Sequence, residues 1–217
     1  KLLFKLSNSD VAVQTKTMQV LFERIFKNRE NKIHSFPVFK DIKIKQKTEN
    51  RNQEYVYISS GEKYKNVELL IRSFSKFQKK YPKEKLHLTI NKNHNNLIDL
   101  IDYANSNSKH SFIFNHGSII NKEALSLLMK NKFLVHPSAI ESFGIVLIEG
   151  SYLNNIIIAP DLNYVYDVCE PNITFKLNEE SLLNALFLSK KNDFKPKPTL
   201  INNKSRDLIN YLILKNG

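Results

Sequence analysis

Apolar positions change period along the chain, and the changes mark out strands and helices in turn. Asp10–Gln14 is short and apolar enough for a strand, and Met18, Leu21, Phe22, Ile25 and Phe26 then recur at helical spacing. Lys40–Glu54 is polar without period and reads as a linker between domains. From Glu54 onward the two periods alternate. Strands are expected at Tyr55–Ser59, Lys85–Ile90, Ser111–Asn115, Lys132–Val135, Ile156–Ala159 and Ile173–Phe175. Helices are expected at Asn66–Lys80, Asn96–Ala104, Lys122–Met129, Ile145–Tyr152, Tyr164–Val168, Glu179–Leu188 and Leu200–Leu214. Such alternation predicts an α/β fold, a doubly wound, Rossmann-like parallel sheet with helices on both faces. Ligands of such sheets lie beyond the carboxyl ends of the strands, where the candidate motifs fall.

One stretch, His136–Gly150 (HPSAIESFGIVLIEG), organises the rest. It reads strand, tight turn, helix, with Glu141 in the turn and Glu149 eight positions later in the helix. The first N–H groups of a helix have no intrahelical partner and carry the positive end of the dipole, so Ser142, Phe143, Gly144 and Ile145 offer an anion site. Gly144 permits the turn and close approach of a phosphate. Two carboxylates beside such a site suit a ligand with phosphates in its centre and hydroxyls at its ends, which a nucleotide diphosphate sugar is. In the alternative reading, Glu141 caps the turn and Glu149 is a solvated helix residue.

Composition narrows the class. With 41% hydrophobic and 25% charged residues the chain is globular, and 217 residues suffice for one large α/β domain plus part of a neighbour. A sole cysteine, Cys169, excludes an internal disulfide framework and fits a reducing, cytoplasmic compartment. No apolar run approaches the ~20 residues of a membrane-spanning helix, and KLLFKLSNSD is unlike a signal peptide. The absence of an initiating Met suggests a piece of a longer protein. The net charge of +12 is spread among many Asn and Ile residues, a pattern of AT-rich coding sequence more than of a binding patch. Nucleic-acid binding would call for aromatic residues interleaved with clustered Arg and Lys, and that pattern is missing. No Cys/His cluster or Asp-x-Asp spacing marks a metal.

HPSAIESFGIVLIEG followed by IIIAPDLNYVYDVCEPN closely resembles the signature of retaining glycosyltransferases of the GT-B fold, family 4 (group 1) type. Pro137-Ser138, Glu141, Phe143-Gly144, Glu149 and Ile156–Ala159 leading to Asp161 carry the match, which runs from about Glu54 to about Ser189. The resemblance implies a donor-binding domain over residues 54–200, the end of an acceptor domain over 1–40, a linker over 41–53 and a closing helix over 201–217. Ile33–Phe39, with Pro37, then becomes the extended crossing between domains. In YISSGEKYKN the family usually carries an Arg and, five residues later, a Lys facing the donor diphosphate. Lys65 holds the lysine position, at what reads as a helix start, while Ser60, followed by Gly61, stands where the Arg would be, losing a bidentate phosphate contact.

The turn TINKNHNN lacks the usual glycine, so Asn93 or Asn95 is expected to take the left-handed conformation, with His94 a solvated loop residue. NHGSIIN matches the turn that borders the nucleobase, giving Gly117, Ser118 and Ile119 as donor contacts; His116 is read as a structural loop residue. Family Gly-x-Pro-Val is replaced by Leu153, Asn154, Asn155 and Ile156, with Asn as the second choice to Gly at a helix end. Asp167 sits where a family Glu often lies.

By resemblance Glu141 contacts the transferred sugar and Glu149 the ribose, with Glu141 and Lys65 as the catalytic pair. The implied reaction moves a hexose-type sugar to a glycan or lipid-linked acceptor with retention, without metal or cofactor. The alternative is a catalytically inactive nucleotide-sugar-binding module, which Ser60 favours. The setting implied is polysaccharide biosynthesis in the cytoplasm, at the inner face of the membrane if the basic face Arg24, Lys27 and Arg29 meets anionic lipid.

Overall fold

The computed structural model describes residues 10–26, 32–40, 42 and 51–216. Lys27 and Arg29 of the basic face, and most of the polar stretch before Glu54, lie outside the described residues. A first unit joins β1 (Val11–Val13), α1 (Lys16–Ile25) and β2 (Ile33–Ser35), with β1 and β2 parallel. The extended crossing expected at Ile33–Phe39 therefore begins as a strand, because Val11, Ile33, Met18 and Phe22 bury a small apolar cluster together.

The main sheet runs β5-β4-β3-β6-β7-β8, every pair parallel. Its strands are β3 (Asn52–Val56), β4 (Leu86–Leu88), β5 (Ile113–Asn115), β6 (Asn131–Val135), β7 (Ile156–Pro160) and β8 (Ile173–Phe175). The connecting helices are α2 (Val67–Lys80), α3 (Asn95–Ser106), α4 (Asn121–Lys130), α5 (Ile145–Tyr152) and α6 (Asn163–Val168), followed by α7 (Glu179–Lys191) and α8 (Ser205–Asn216). The doubly wound α/β sheet expected from the alternation is the sheet observed. Strand alternation divides the core: Tyr55 and Phe133 face α2, α3 and α7, whereas Val56 and Leu134 face α4, α5 and α6. Phe74 and Phe77 of α2 meet Tyr55 edge to face and are fully buried, a burial that contributes about 1.5–3 kcal/mol per ring.

Three expectations are corrected. The last helix starts at Ser205, not Leu200, because Leu200 N–H donates to the Val168 carbonyl at 2.9 Å and Thr199 bridges Cys169. β3 begins at Asn52, inside the expected linker, and the ladder still reaches Tyr57, whose N–H donates to His87 at 2.8 Å. Among the described non-glycine residues the left-handed ones are Asn66 and Asn154, not Asn93 or Asn95. Asn154 there ends α5 as expected of an Asn in place of Gly.

Winding reverses between β3 and β6, which lie side by side, so the loops leaving their carboxyl ends face each other across a crevice.

Candidate functional site

Two loops meet at that reversal. The loop after β3 turns through Ser59–Asn66, with Lys63–Lys65 as one turn of 3-10 helix. Lys65 thus precedes α2 and is not in its first turn, so the helix dipole is no argument for its position. The loop after β6 carries His136 to Gly144. Three contacts staple the loops together. Lys65 Nζ lies 2.7 Å from Glu141 Oε1, Asn66 Nδ2 donates to the Pro137 carbonyl at 2.9 Å, and Ala139 N–H donates to the Tyr64 carbonyl at 2.8 Å. Asn66 adopts φ 54°, which lets the chain leave the 3-10 turn and enter α2 while its side chain reaches back to the second loop.

Lys65 and Glu141 are 11% and 12% exposed, so their attraction is little screened. His136 is buried, with Nε2 3.1 Å from the same Glu141 oxygen but off the line of a well-formed hydrogen bond. Burial opposes the charge on Glu141. Polar contact with His136, then with Lys65 and Ser138, outweighs it and holds the carboxyl down at about 2. Glu141 therefore joins Lys65, across the crevice, to His136 and Ser138 of its own loop.

Glu149 is the opposite case. It lies on the buried side of α5, 8% exposed, and accepts from Asn121 Nδ2 at 3.0 Å. Burial raises its pKa, and the Asn121 bond offsets this in part. It is no solvated helix residue. A raised folded-state pKa means the ionised form is penalised in the fold; that penalty is complete above the folded value and vanishes as pH falls below the ordinary 4.5. Glu149→Gln, which still accepts from Asn121, is expected to raise stability by about 0.5–2 kcal/mol near neutrality and by almost nothing at about pH 4. Thermal unfolding of both proteins at the two pH values checks this; equal gains at both would remove the charge as the cause.

The turn before α5 contains the left-handed glycine that its sequence calls for. Gly144 sits at φ +69° as the cap of α5, a conformation that a side chain disfavours. Ser142 and Ile145 are exposed, while Phe143 is half-buried with its ring 6.0 Å from that of Phe39. Gly61 packs under the ring of His94, and a Cβ there would lie 2.6 Å from two ring atoms. His94, expected to be solvated, is half-buried with one side of its ring packed on Gly61. Ser60 hydrogen-bonds Glu62, so an acidic partner occupies the hydroxyl that stands at the usual Arg position.

The third turn places Gly117 at φ +69°, Ser118 Oγ 2.8 Å from Asn91 Nδ2, and Ile119 half-buried beside them. Asp167 accepts from Thr17 N–H at 2.8 Å and so caps α1 of the first unit. Among the described residues, no group of three or more His, Cys, Asp or Glu side chains is placed to hold a metal ion. No described helix is long and apolar enough to cross a membrane.

Sequence reasoning missed His136, Asn66 and Asn121. His136 stood in the right stretch, but a lone histidine before a proline gave no sign of facing Glu141. Asn121 had no signal, since its role depends on α4 starting beside α5.

The pneumococcal O-GlcNAc transferase GtfA in complex with UDP and GlcNAc is similar, with a TM-score of 0.62 and 17% identity over 71% of this chain and 30% of that one. A Staphylococcus aureus TarM variant bound to fondaparinux, α-GlcNAc-glycerol and UDP reaches 0.69 and 21% over 85% of this chain and 37% of that one. Sucrose-phosphate synthase of Thermosynechococcus elongatus reaches 0.66 and 15%, over 82% and 48%. The chain thus spans less than half the length of each of these proteins, and the likeness is one of GT-B fold. No curated protein sequence matches it. The family of glycosyl transferases group 1, however, matches residues 38–181, which takes in both loops of the crevice, α5 and β7, and the chain belongs to that family.

Proposed function

We propose that residues 54–200 are the nucleotide-sugar donor domain of a retaining, family 4 type GT-B glycosyltransferase, with residues 1–40 the end of its acceptor domain, 41–53 the linker and 201–217 a closing helix. The whole enzyme moves a hexose-type sugar to a glycan or lipid-linked acceptor, needs no metal or cofactor, and works in the cytoplasm in polysaccharide biosynthesis. The observation that carries this reading is the Lys65–Glu141 pair at the point where the strand order reverses, beside the Gly144 turn.

Each member of the pair has a partner on the donor. The diphosphate draws Lys65 and the amides of Ser142–Ile145, while sugar hydroxyls donate to Glu141, which stays ionised down to about pH 2. Glu149 accepts from the ribose and the 117–119 turn borders the base. When the glycosidic bond to the donor breaks, negative charge grows on the leaving diphosphate, and Lys65 with the α5 amides stabilises it without reorganising. UDP in two of the similar structures makes uridine the first nucleotide to try.

One observation favours an inactive binding module: Ser60, in place of the usual Arg, spends its hydroxyl on Glu62. Calorimetric titration with UDP, GDP and ADP, each with and without a sugar, tests the primary reading. Micromolar binding of one diphosphate supports it. A folded protein that binds none of them sinks it.

A further inference from the structure

We propose that Glu54, His87 and His116 form a positioning relay for the 117–120 loop, in which the histidine pair fixes the start of the loop and lets go when both rings are protonated. This rests on the donor reading, which puts that loop against the nucleobase.

The relay is a row of contacts across three neighbouring strands. Glu54 of β3 lies 2.9 Å from His87 Nε2, and His87 Nδ1 on β4 lies 3.0 Å from His116 Nε2, just past β5. The imidazole rings stack with centroids 5.3 Å apart, and His87 also stacks on Phe114. Glu54 and His87 are 17% and 16% exposed, so the inner part of the row is shielded from water. His116 N–H donates to the Leu88 carbonyl, which ties its backbone as well. At the far end of the loop Asn121 holds Glu149. The segment between them, with its left-handed Gly117, is therefore pinned at one end by a titrating contact and at the other by the carboxylate assigned to the ribose.

Tautomers follow from the carboxylate outward. Glu54 accepts, so His87 Nε2 carries the proton, His87 Nδ1 is an acceptor, and His116 Nε2–H donates to it. One added proton leaves the row intact. It can sit on the outer nitrogen of His116, or on His87 Nδ1 if His116 changes tautomer and accepts. A second proton puts N–H against N–H and breaks the contact. The charged groups around His116 are Glu54 on β3, Lys85 ahead of β4, His87, Lys130 at the end of α4 and, through Asn121, Glu149 on α5. Burial first, then His87 and Lys130, moves the His116 pKa down.

Two substitutions at exposed His116 separate anchoring from bulk structure. A Gln side chain can either donate to or accept from His87, so it keeps the contact through every protonation state of His87, whereas Ala loses it. UDP affinity of the wild type is expected to hold from about pH 8 into the histidine range and then fall toward that of His116→Ala. His116→Ala should bind about three- to tenfold more weakly than the wild type at the high end, the worth of one neutral hydrogen bond. His116→Gln should regain that loss and keep it in acid, where the wild type does not; any slope common to all three proteins belongs to groups other than His116, the terminal phosphate of UDP and Glu149 among them. Long-range 15N spectra should show His87 Nδ1 unprotonated at about pH 8. Binding profiles that superimpose for the three proteins, or a protonated His87 Nδ1, overturn the relay alone. Failure of the wild type to bind any nucleotide at any pH overturns the donor reading and this role with it.

Discussion

Lys65→Met is expected to weaken binding of the donor diphosphate by roughly one to two orders of magnitude, the range for a charge-assisted hydrogen bond in a shielded site. Met keeps the length and the apolar stem of the side chain, so the loss falls on the charge. The size of the effect depends on what Lys65 does before the donor arrives. It already holds Glu141 at 2.7 Å, and the donor must replace that contact. Glu141→Gln therefore has a different signature: bare UDP should bind as well as to the wild type or better, because Lys65 is released, while the extra affinity conferred by a sugar should vanish. Calorimetry with UDP and a UDP-sugar on both variants distinguishes the two roles. Unchanged UDP affinity in Lys65→Met would falsify the assignment of the cation to the diphosphate. The pair also sets an acid limit. Glu141 is held from 4.5 down to about 2, so its contribution to stability is complete above the upper value and disappears as pH falls through the lower one. In Lys65→Met that loss should be smaller and finish at higher pH, since one of the contacts holding the carboxyl down is gone.

How much of this was legible in the sequence follows from what each feature depends on. Period alone located the strands and helices of the main sheet, because Val67, Leu70, Ile71, Phe74 and Phe77 can only form one face on a helix. Gly117 and Gly144 were legible as turns, and both take positive φ. Contacts made between elements were not. Asn91, Asn66 and Asn121 are polar residues in a chain rich in Asn, and their bonds to Ser118, Pro137 and Glu149 exist only once neighbouring strands are in place. The glycine-poor turns misled in the same way: the need for a left-handed residue was seen, but Asn66 met it at the first turn, and the second turn packs His94 on Gly61 instead. Leu200 was read as the start of the last helix, but with Thr199 it is claimed by the backbone of Val168–Cys169.

Asn155→Ala is expected to destabilise the domain by about 2–5 kcal/mol, the largest loss anticipated from any single polar residue here, because two buried acceptors lose their donor at once. Asn155 is fully buried where the resembled family has Pro. Its Nδ2 donates to the Leu128 carbonyl at 2.9 Å and to the Asn131 carbonyl at 2.7 Å. Leu128 lies in the last turn of α4, where carbonyls have no partner within the helix, and Asn131 opens β6, so one amide joins a helix end and a strand start to β7. Its own N–H donates to the Gly150 carbonyl at 2.8 Å, closing the turn out of α5. Ala keeps that backbone bond and removes the other two, leaving a small cavity among Leu134, Gly150 and the end of α4. For a domain of this size the melting temperature should fall by roughly 5–15 °C. Asn155→Asp should be at least as damaging, since it aims a carboxylate at two carbonyls in the interior. The neighbouring Asn154→Gly is the control: the position is exposed and left-handed, Gly adopts φ 59° freely, and little change is expected. If Asn155→Ala and Asn154→Gly melted together, the two carbonyls would have found other donors, and the divergence from Pro would be neutral. If Asn155→Ala alone collapses, the Asn that replaced Pro holds together the sheet from which both loops of the crevice project.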